Sequence, residues 1–283
     1  MTRYLITGAA GMLGRDLQAA LDGRDVTALA RANLDITDLD AVRSAVADHD
    51  AIINAAAYTK VDDAETHEDE AHAVNATGAQ NLAIAAAEVG ARFVQVSTDY
   101  VFHGDATAPY SEDSSLDPIS AYGRTKADGE QLARQAYPDG TYVVRGAWLY
   151  GEHGPNFAKT MLRLAASHET VSVVTDQLGQ PTWTGDLARQ IVRLLDADAP
   201  AGAYHGTNSG QASWFDFTKA IFENAGLDPE RVLPTDSTQF VRPAPRPAYS
   251  VLGHDAWASA GLEPMRAWDA ALRAAFDDGV FAS

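Results

Sequence analysis

Cysteine is absent from the 283-residue chain, and so are long apolar runs. Without cysteine there are no disulfide bonds, thiolate metal sites or cysteine nucleophiles. No apolar stretch approaches the roughly 20 residues that a helix needs to cross a bilayer. The first residues lead directly into a glycine-rich turn and leave no room for a signal peptide. We therefore expect a cytoplasmic protein without a membrane segment.

Basic residues are scarce, with 21 Lys and Arg against 39 Asp and Glu and a net charge of −18. Such a charge repels nucleic acid and anionic membranes, so neither is an expected partner. Only four lysines are present, and Asp outnumbers Glu. This acidic surface resembles that of proteins adapted to high salt; an ordinary acidic cytosolic enzyme is the alternative.

The eight histidines are scattered, and no H-E-x-x-H motif occurs, so no metal site is predicted. The chain also lacks internal repeats, low-complexity tracts and long flexible linkers. Its 46% hydrophobic composition is sufficient for a packed core. The composition therefore indicates an ordered, globular protein.

In the first half, short apolar runs alternate with longer alanine-rich amphipathic stretches, which is typical of repeated βαβ units. The expected fold is α/β, a doubly wound parallel sheet of the Rossmann type. Strands are predicted at residues 3–7, 25–30, 51–54, 92–97 and 141–145, and helices at residues 11–21, 39–47, 68–89 and 121–136.

After residue 150 the pattern loosens, with helices expected near residues 157–166, 184–196, 214–225 and 266–276. We assign residues 1–150 to a dinucleotide-binding domain, with a returning segment at about 170–200. Residues 151–283 mainly form a smaller, interleaved substrate-binding lobe. The two parts should share a cleft.

The first predicted strand runs into the sequence Gly8-Ala9-Ala10-Gly11-Met12-Leu13-Gly14, which opens the first helix. Glycines at this spacing permit a tight turn and bring backbone N–H groups and the helix N-terminus close to a pyrophosphate. A glycine-rich turn without a ligand is the alternative. The order of strand, loop and helix favours the cofactor loop.

The second strand ends in Ala30-Arg31, where an acidic residue for the adenosine ribose would be expected. An arginine there, with Arg15 just beyond the loop, favours a 2′-phosphate and therefore NADPH, with NADH as the alternative. Both arginines could instead be solvated surface charges. The remaining predicted contacts with the cofactor are Asp35, which could bind the adenine amino group or cap the next helix, Ile36, and the small residues Ala55, Ala56 and Ala57.

Tyr122 and Lys126 lie four residues apart in a predicted helix, so both side chains emerge on one face. A phenol can hydrogen-bond a ketone oxygen that becomes negatively charged and can protonate it, and a nearby ammonium assists. Thr98 follows a predicted buried strand at the carboxyl edge of the sheet, where it could give a second hydrogen bond; Ser97 and Thr98 could also simply end the strand.

These motifs, together with Val74-Asn75 and the sequence from Ser97 to Phe102, resemble the extended short-chain dehydrogenase/reductases. The second half narrows the resemblance to the dTDP-4-dehydrorhamnose reductase family. The segments that carry it are residues 145–151, 156–162, 176–182 and 246–250.

The resemblance implies NAD(P)H-dependent reduction of the C4 ketone of dTDP-4-dehydrorhamnose to dTDP-L-rhamnose. It assigns Thr98, Tyr122 and Lys126 to catalysis, the last two also contacting the cofactor. The implied substrate contacts are Thr98, Asp99, Trp148, Asn156 and Arg246. From the residues alone, Trp148 could be a core aromatic, Asn156 a helix cap and Arg246 a surface charge.

Some relatives of this kind form a homodimer around a magnesium ion held by acidic residues. Asp16 could supply one ligand, but no acidic pair matches the others, so no metal is predicted and a homodimer is left open. The alternatives in function are a reductase or epimerase of another nucleotide-sugar, or a non-catalytic subunit resembling the regulatory subunit of methionine adenosyltransferase.

Overall fold

The computed structural model describes residues 1–282. The strands in this range are β1 (Arg3–Thr7), β2 (Asp25–Leu29), β3 (Ala51–Asn54), β4 (Arg92–Thr98), β5 (Thr141–Gly146), β6 (Leu149–Tyr150), β7 (Val171–Val174), β8 (Leu178–Gly179), β9 (Thr182–Trp183), β10 (Gly202–His205), β11 (Ala212–Ser213) and β12 (Val232–Thr235).

The α-helices are α1 (Met12–Ala20), α2 (Leu39–Val46), α3 (Val61–Ala64), α4 (Glu68–His72), α5 (Gly78–Val89), α6 (Ala121–Ala136), α7 (Phe157–Ser167), α8 (Thr184–Asp196), α9 (Trp214–Asn224), α10 (Asp255–Ser259) and α11 (Trp268–Asp277). Short 3₁₀ turns cover Asp99–Val101, Pro229–Arg231 and Ser237–Gln239. None of the helices within residues 1–282 combines the length and apolar character that a membrane crossing requires.

Six strands form the central sheet in the order β10-β5-β4-β3-β1-β2, and every neighbouring pair is parallel. The predicted α/β fold with a doubly wound parallel sheet is confirmed. All five predicted strands are present within one or two residues. The sixth strand, β10, was not predicted, because its sequence Gly-Ala-Tyr-His has neither a β-branched residue nor a clear alternation.

Helices cover both faces of the sheet, as the alternating pattern requires. On one face α1 packs against α8, with Leu13 and Leu17 meeting Leu187 and Ile191 in a fully apolar core. On the other face α2 and α5 pack together, and α5 also contacts α6. Both faces of the inner strands are therefore buried, which explains the apolar runs of β1 and β3, whereas β2 at the edge of the sheet is only partly buried.

The helix predicted at residues 68–89 is divided in the structure. A π-helical turn at Ala73–Thr77 separates α4 from α5, and it contains the buried side chain of Asn75. Such turns are frequent at functional sites, because they redirect side chains that a regular helix would place elsewhere. The amphipathic pattern detects the whole helix but not the extra residue in one turn.

A second core lies between α7, α9 and α11, where Phe217, Ile221, Phe222 and Leu272 are completely buried. The strand pair β7 and β12 borders it. The segment at about 170–200 was expected to return to the first domain. Its helix α8 does pack on α1, but its strand β7 belongs to the second core. After this segment, β10 joins the main sheet. The division at residue 150 into two domains stays a prediction.

Candidate active site

The glycine loop is shaped so that only glycine fits at its critical positions. Gly8 has a φ of +69°, and a Cβ there would lie 2.5 Å from the backbone of Ala55 and Ala56. At Gly14 a Cβ would lie 2.3 Å from the carbonyl oxygen of Gly8. The loop is closed by a hydrogen bond from the Gly11 N–H to the Gly8 oxygen, 2.9 Å long. The tight turn predicted from the sequence therefore exists.

The N-terminus of α1 begins at Met12, with Gly11 as its N-cap, and no side chain of the described residues caps it. Its first N–H groups remain available to an anion, and the helix dipole favours negative charge there. Leu13 and Gly14 are buried, so they could meet a ligand only through their backbone. The glycine loop and the uncapped N-terminus of α1 together form a site that fits the pyrophosphate of a dinucleotide.

The end of β2 lies beside this loop, because the Ala9 N–H donates to the Leu29 oxygen at 3.1 Å. Arg31 follows at the surface, two residues beyond the strand and close enough to Asp35 to lower the pKa of that carboxyl. The main cause of that lowered pKa is the hydrogen bonding of Asp35 to Thr37. An exposed guanidinium here is accessible to a 2′-phosphate.

The other adenosine-side predictions have mixed outcomes. The cap of α2 is Asp38, which accepts from the Asp40 and Ala41 N–H groups, so the alternative that Asp35 caps this helix is wrong. Ile36 is buried, and a Cβ on Gly78 would lie 2.6 Å from its side chain. Ile36 could therefore contact a cofactor only through its backbone or through the small part of its side chain that stays exposed.

Ala55, Ala56 and Ala57 follow β3 and are half-buried next to the glycine loop. Their course is fixed by polar anchors at both ends. The Asn54 carboxamide accepts from the Ala56 N–H at 3.1 Å, and the Asn75 carboxamide accepts from the Tyr58 N–H at 2.8 Å. Small side chains on a fixed backbone leave a flat wall beside the cofactor loop.

Thr98, Tyr122 and Lys126 meet at the carboxyl end of β4. Thr98 is the last residue of the strand and is buried, while Tyr122 and Lys126 lie one turn apart near the start of α6. The Lys126 ammonium donates a 2.6 Å hydrogen bond to the Val96 oxygen of β4. The structure therefore brings together the three residues predicted as catalytic.

Burial tunes the two ionisable groups of this trio in opposite directions. Desolvation lowers the pKa of Lys126 to about 8, although the Glu130 carboxylate opposes this. Desolvation raises the pKa of Tyr122 above its usual range, assisted by Asp99 and opposed by the Thr98 hydroxyl. At neutral pH the phenol therefore carries its proton, which is the form a proton donor needs.

Close packing of α6 against the chain before it sets this geometry. A Cβ at Gly123 would lie 2.2 Å from the Tyr100 oxygen, and one at Gly129 would lie 2.1 Å from the Asn75 oxygen. The Asn75 carboxamide also donates to the Thr125 hydroxyl at 3.0 Å. Asn75 therefore links Tyr58, which follows the alanine segment, to the catalytic helix α6. Its place in the sequence did not reveal this positioning role.

Asp99 lies directly behind Thr98, only 2% exposed. Its Oδ1 accepts from the Thr98 hydroxyl at 2.9 Å, whereas its Oδ2 is buried and has no partner among the described residues. Burial raises the pKa of this carboxyl to about 6, and the nearby Ser250 hydroxyl opposes the rise. An unpaired oxygen with almost no accessible surface is strongly desolvated, which favours the protonated carboxyl. A contact of Asp99 with the substrate stays a prediction.

Trp148 has a φ of +47°, a backbone conformation that only glycine adopts without strain. Its ring stacks on that of Trp214, with the planes inclined by 9°, and it packs closely against Gly179. The ring is half-buried and packs against the second core, so Trp148 does have the packing role considered for it, and its contact with the substrate stays a prediction. Strain of this kind is concentrated at functional sites. Sequence reasoning missed Trp214 because it lies 66 residues away.

Asn156 is the N-cap of α7, which was one of the two roles considered for it. Its Oδ1 accepts from the Lys159 N–H at 3.0 Å, and its Nδ2 donates to the Gly151 oxygen at 2.9 Å. Both ends of the amide are engaged in this way. A contact of Asn156 with the substrate stays a prediction. The substrate would have to share the amide oxygen or nitrogen with these protein partners.

Arg246 lines a cavity of about 570 Å³ between α7, α9 and the segment 237–246. Its guanidinium pairs with the Asp62 carboxylate at 2.9 Å and lies 6.0 Å from the centre of the Tyr100 ring. The Tyr100 ring in turn packs edge-to-face on Tyr122, with centroids 5.7 Å apart. Tyr100 therefore lies between Arg246, which lines the cavity, and Tyr122 of the catalytic trio, whose own residues do not line it.

No cluster of three or more potential metal ligands occurs within residues 1–282. Asp16, the one candidate considered for a metal, has a raised pKa because it is half-buried, and the Thr184 side chain opposes the rise.

Comparison with known proteins places this geometry in a family. The model of the family described as RmlD substrate binding domain matches residues 2–280. A dTDP-4-dehydrorhamnose reductase of Streptomyces griseus is 51% identical, over 97% of this chain and 93% of the relative. A dTDP-4-keto-6-deoxy-D-glucose reductase of Streptomyces niveus is 50% identical, over 97% and 96%. The crystal structure of a Bacillus anthracis dTDP-4-dehydrorhamnose reductase in complex with NADP superposes with a TM-score of 0.93 at 41% identity, over 98% of this chain and 99% of that one.

Proposed function

The chain belongs to the RmlD substrate binding domain family, that of the dTDP-4-dehydrorhamnose reductases, and on this basis we propose which of its residues carry out the reaction. The reaction is the NADPH-dependent reduction of the C4 ketone of dTDP-4-dehydrorhamnose to dTDP-L-rhamnose. One observation carries the assignment: Thr98, Tyr122 and Lys126 meet at the carboxyl end of β4, beside a loop that only glycine can form.

Bound NADPH would supply the hydride that is added to C4 of the sugar. We assign its pyrophosphate to the N-terminus of α1 and the loop from Gly8 to Gly14, and its 2′-phosphate to Arg31. The wall formed by Ala55, Ala56 and Ala57 would contact the nicotinamide half, and Asp35 and Ile36 the adenosine half.

Tyr122 is the proposed proton donor to the C4 oxygen. As the hydride arrives, this oxygen becomes negative, and the Tyr122 hydroxyl stabilises it by a hydrogen bond. Thr98 gives a second hydrogen bond when its hydroxyl turns from Asp99 Oδ1, to which it donates in the structure. The raised pKa of the phenol keeps the proton available at neutral pH. Transfer of that proton completes the alcohol and leaves a phenolate, which regains a proton from solvent. Lys126 stabilises the phenolate and holds the nicotinamide ribose.

The proposed substrate contacts lead from the catalytic trio toward Arg246, the one of them that lines the cavity. We assign Asp99 and Trp148 to the sugar and Arg246 to the diphosphate, with Asn156 at the edge. We further propose that the enzyme acts on its nucleotide-sugar in the cytoplasm. No nucleic acid, membrane or metal is proposed as a partner. A homodimer is tested by light scattering after gel filtration.

The decisive experiment measures NADPH oxidation with dTDP-4-dehydrorhamnose for the native protein and for Tyr122→Phe. Loss of the proton donor should reduce kcat by about 10²- to 10⁴-fold while NADPH binding is retained. Tyr137→Phe, at the far end of the same helix, is the matched control. Unchanged turnover of Tyr122→Phe would refute the assignment.

Measuring turnover with a panel of 4-keto sugars determines which sugar the enzyme reduces. The relative from Streptomyces niveus is named for reduction of dTDP-4-keto-6-deoxy-D-glucose, so this compound belongs in the panel. Net oxidation of NADPH separates a reductase from an epimerase, which would regenerate its cofactor. Absence of turnover with every 4-keto sugar would favour the non-catalytic alternative.

A further inference from the structure

The cation assigned to the diphosphate is already engaged within the protein. One oxygen of the Asp62 carboxylate accepts from the Arg246 guanidinium at 2.9 Å and from the Ala244 N–H at 3.3 Å. Arg246 also donates to the Ala244 oxygen at 3.1 Å, which fixes the guanidinium relative to its own backbone. Two donors of different kinds therefore converge on a single anionic oxygen.

This convergence is the arrangement that a phosphate oxygen would use. A guanidinium and a backbone N–H are the usual donors to phosphate, and a carboxylate presents similar acceptors at similar distances. Both side chains are partly accessible, at 22% exposure for Arg246 and 34% for Asp62. An ion pair this exposed contributes little free energy, so a more highly charged anion can replace the carboxylate.

The ion pair also closes a strap across the cavity, which we define as residues 237–247. At one end the Ser237 N–H and hydroxyl bond to the Asp176 carboxylate, and at the other Pro247 packs on Gly104. Between these ends Val241 is 87% exposed, although both it and Phe240 line the cavity. Asp62 lies on α3, outside the strap, so its pairing with Arg246 ties the strap to the nucleotide-binding half.

We propose that Asp62 is an internal counter-ion that occupies the diphosphate position of Arg246 in the free enzyme and is exchanged for the diphosphate of the nucleotide-sugar. The exchange frees the strap from α3, so that Phe240 and Val241 can close over the bound nucleotide. Asp62 therefore lowers affinity for the substrate and makes closure depend on its diphosphate. This inference rests on the proposed function, since it takes the substrate to be a nucleoside diphosphate sugar.

The test is the affinity of the full-length protein for dTDP, measured by calorimetry. Asp62→Asn keeps the size of the side chain and removes its charge. It should bind dTDP about 2- to 5-fold more tightly than the native protein, the range expected when an exposed ion pair no longer competes. Asp69→Asn, an exposed acid on α4, changes the net charge equally and should leave affinity unchanged.

A double variant distinguishes competition from a general charge effect. Arg246→Ala should weaken dTDP binding about 10- to 100-fold, and adding Asp62→Asn to it should restore nothing. Weaker or equal binding by Asp62→Asn alone would overturn the proposal, because Asp62 would then orient Arg246 instead of competing for it. A gain that persists in the double variant would overturn it as well.

The two proposals can fail separately. If the native protein reduces dTDP-4-dehydrorhamnose but Asp62→Asn gains no affinity, the counter-ion is refuted and the reductase stands. If Asp62→Asn gains affinity for dTDP but no 4-keto sugar is turned over, the counter-ion stands and the assigned reaction is refuted.

Discussion

The rings of Trp148 and Trp214 stack with their centroids 3.6 Å apart, although the two residues come from different parts of the chain. Trp148 follows β5 in a strained backbone conformation, while Trp214 begins α9 and also lines the cavity beside Arg246. The indole proposed to contact the sugar is therefore held by a residue that packs against the second core and lines the cavity.

This support predicts a role in binding for Trp214. Replacing Trp214 with Ala should raise KM for the nucleotide-sugar by about 5-fold, because a stacked aromatic pair is worth roughly 1 kcal/mol beyond its buried area. The effect on kcat should be smaller, since the catalytic trio is untouched. Trp214→Phe should restore part of the loss. Steady-state kinetics measure both constants.

Phe215→Ala is the control for this variant. It removes an aromatic side chain of the same helix that contacts Lys219 and not Trp148. An equal rise in KM for Phe215→Ala would mean that the Trp214 effect comes from weakened packing of α9.

Arg31 is predicted to determine the preference for NADPH. Its exposed guanidinium lies where the sequence has no acidic residue for a free ribose hydroxyl. Arg31→Ala should weaken NADPH binding by about 10-fold, the value of one charge-assisted hydrogen bond, and leave NADH almost unaffected. The ratio of kcat/KM for the two cofactors gives the answer, with Arg163→Ala on α7 as the control. An unchanged ratio would mean that Arg31 is only a solvated surface charge.

Asp99 makes the stability of the protein depend on pH. Burial raises the pKa of its carboxyl from 3.8 to about 6, so between these values the folded state binds more protons than the unfolded state. Its contribution to the free energy of unfolding is complete below pH 3.8 and is lost as pH rises through 6. The loss is on the order of 3 kcal/mol.

The measurement compares urea unfolding of the native protein and Asp99→Asn across this pH range. The variant has no charge to lose, so its stability relative to the native protein should increase as pH rises from 4 to 7, by up to the ~3 kcal/mol given above. Asp113→Asn, an exposed carboxyl, should show no such trend. Parallel curves for Asp99→Asn and the native protein would contradict the raised pKa.

The acidic surface predicts stabilisation by salt. Raising KCl from about 0.1 M to about 1 M shortens the screening length from ~10 Å to ~3 Å and weakens the repulsion that goes with a net charge of −18. The Tm should increase by about 2–4 °C for each kcal/mol of repulsion relieved. Differential scanning calorimetry tests this, with sucrose as an uncharged control. A Tm independent of KCl would support the ordinary acidic enzyme.

The amino-acid sequence by itself determined the features that depend on local spacing. Gly8, Gly11 and Gly14 lie between a strand and a helix, so their turn is formed within seven residues. Tyr122 and Lys126 share a helix face because four residues make about one turn. The parallel sheet followed from the alternation of apolar runs and amphipathic helices, since a parallel pair requires such a crossover.

Only the tertiary structure decided which distant residues meet. Trp214 behind Trp148, Asp62 on Arg246, and Asn75 between Tyr58 and Thr125 each join segments that lie far apart in the chain. Their sequences have no periodicity that encodes these contacts, because packing of whole elements brings them together. The same holds for β10, whose four residues become a strand only because β5 offers an open edge.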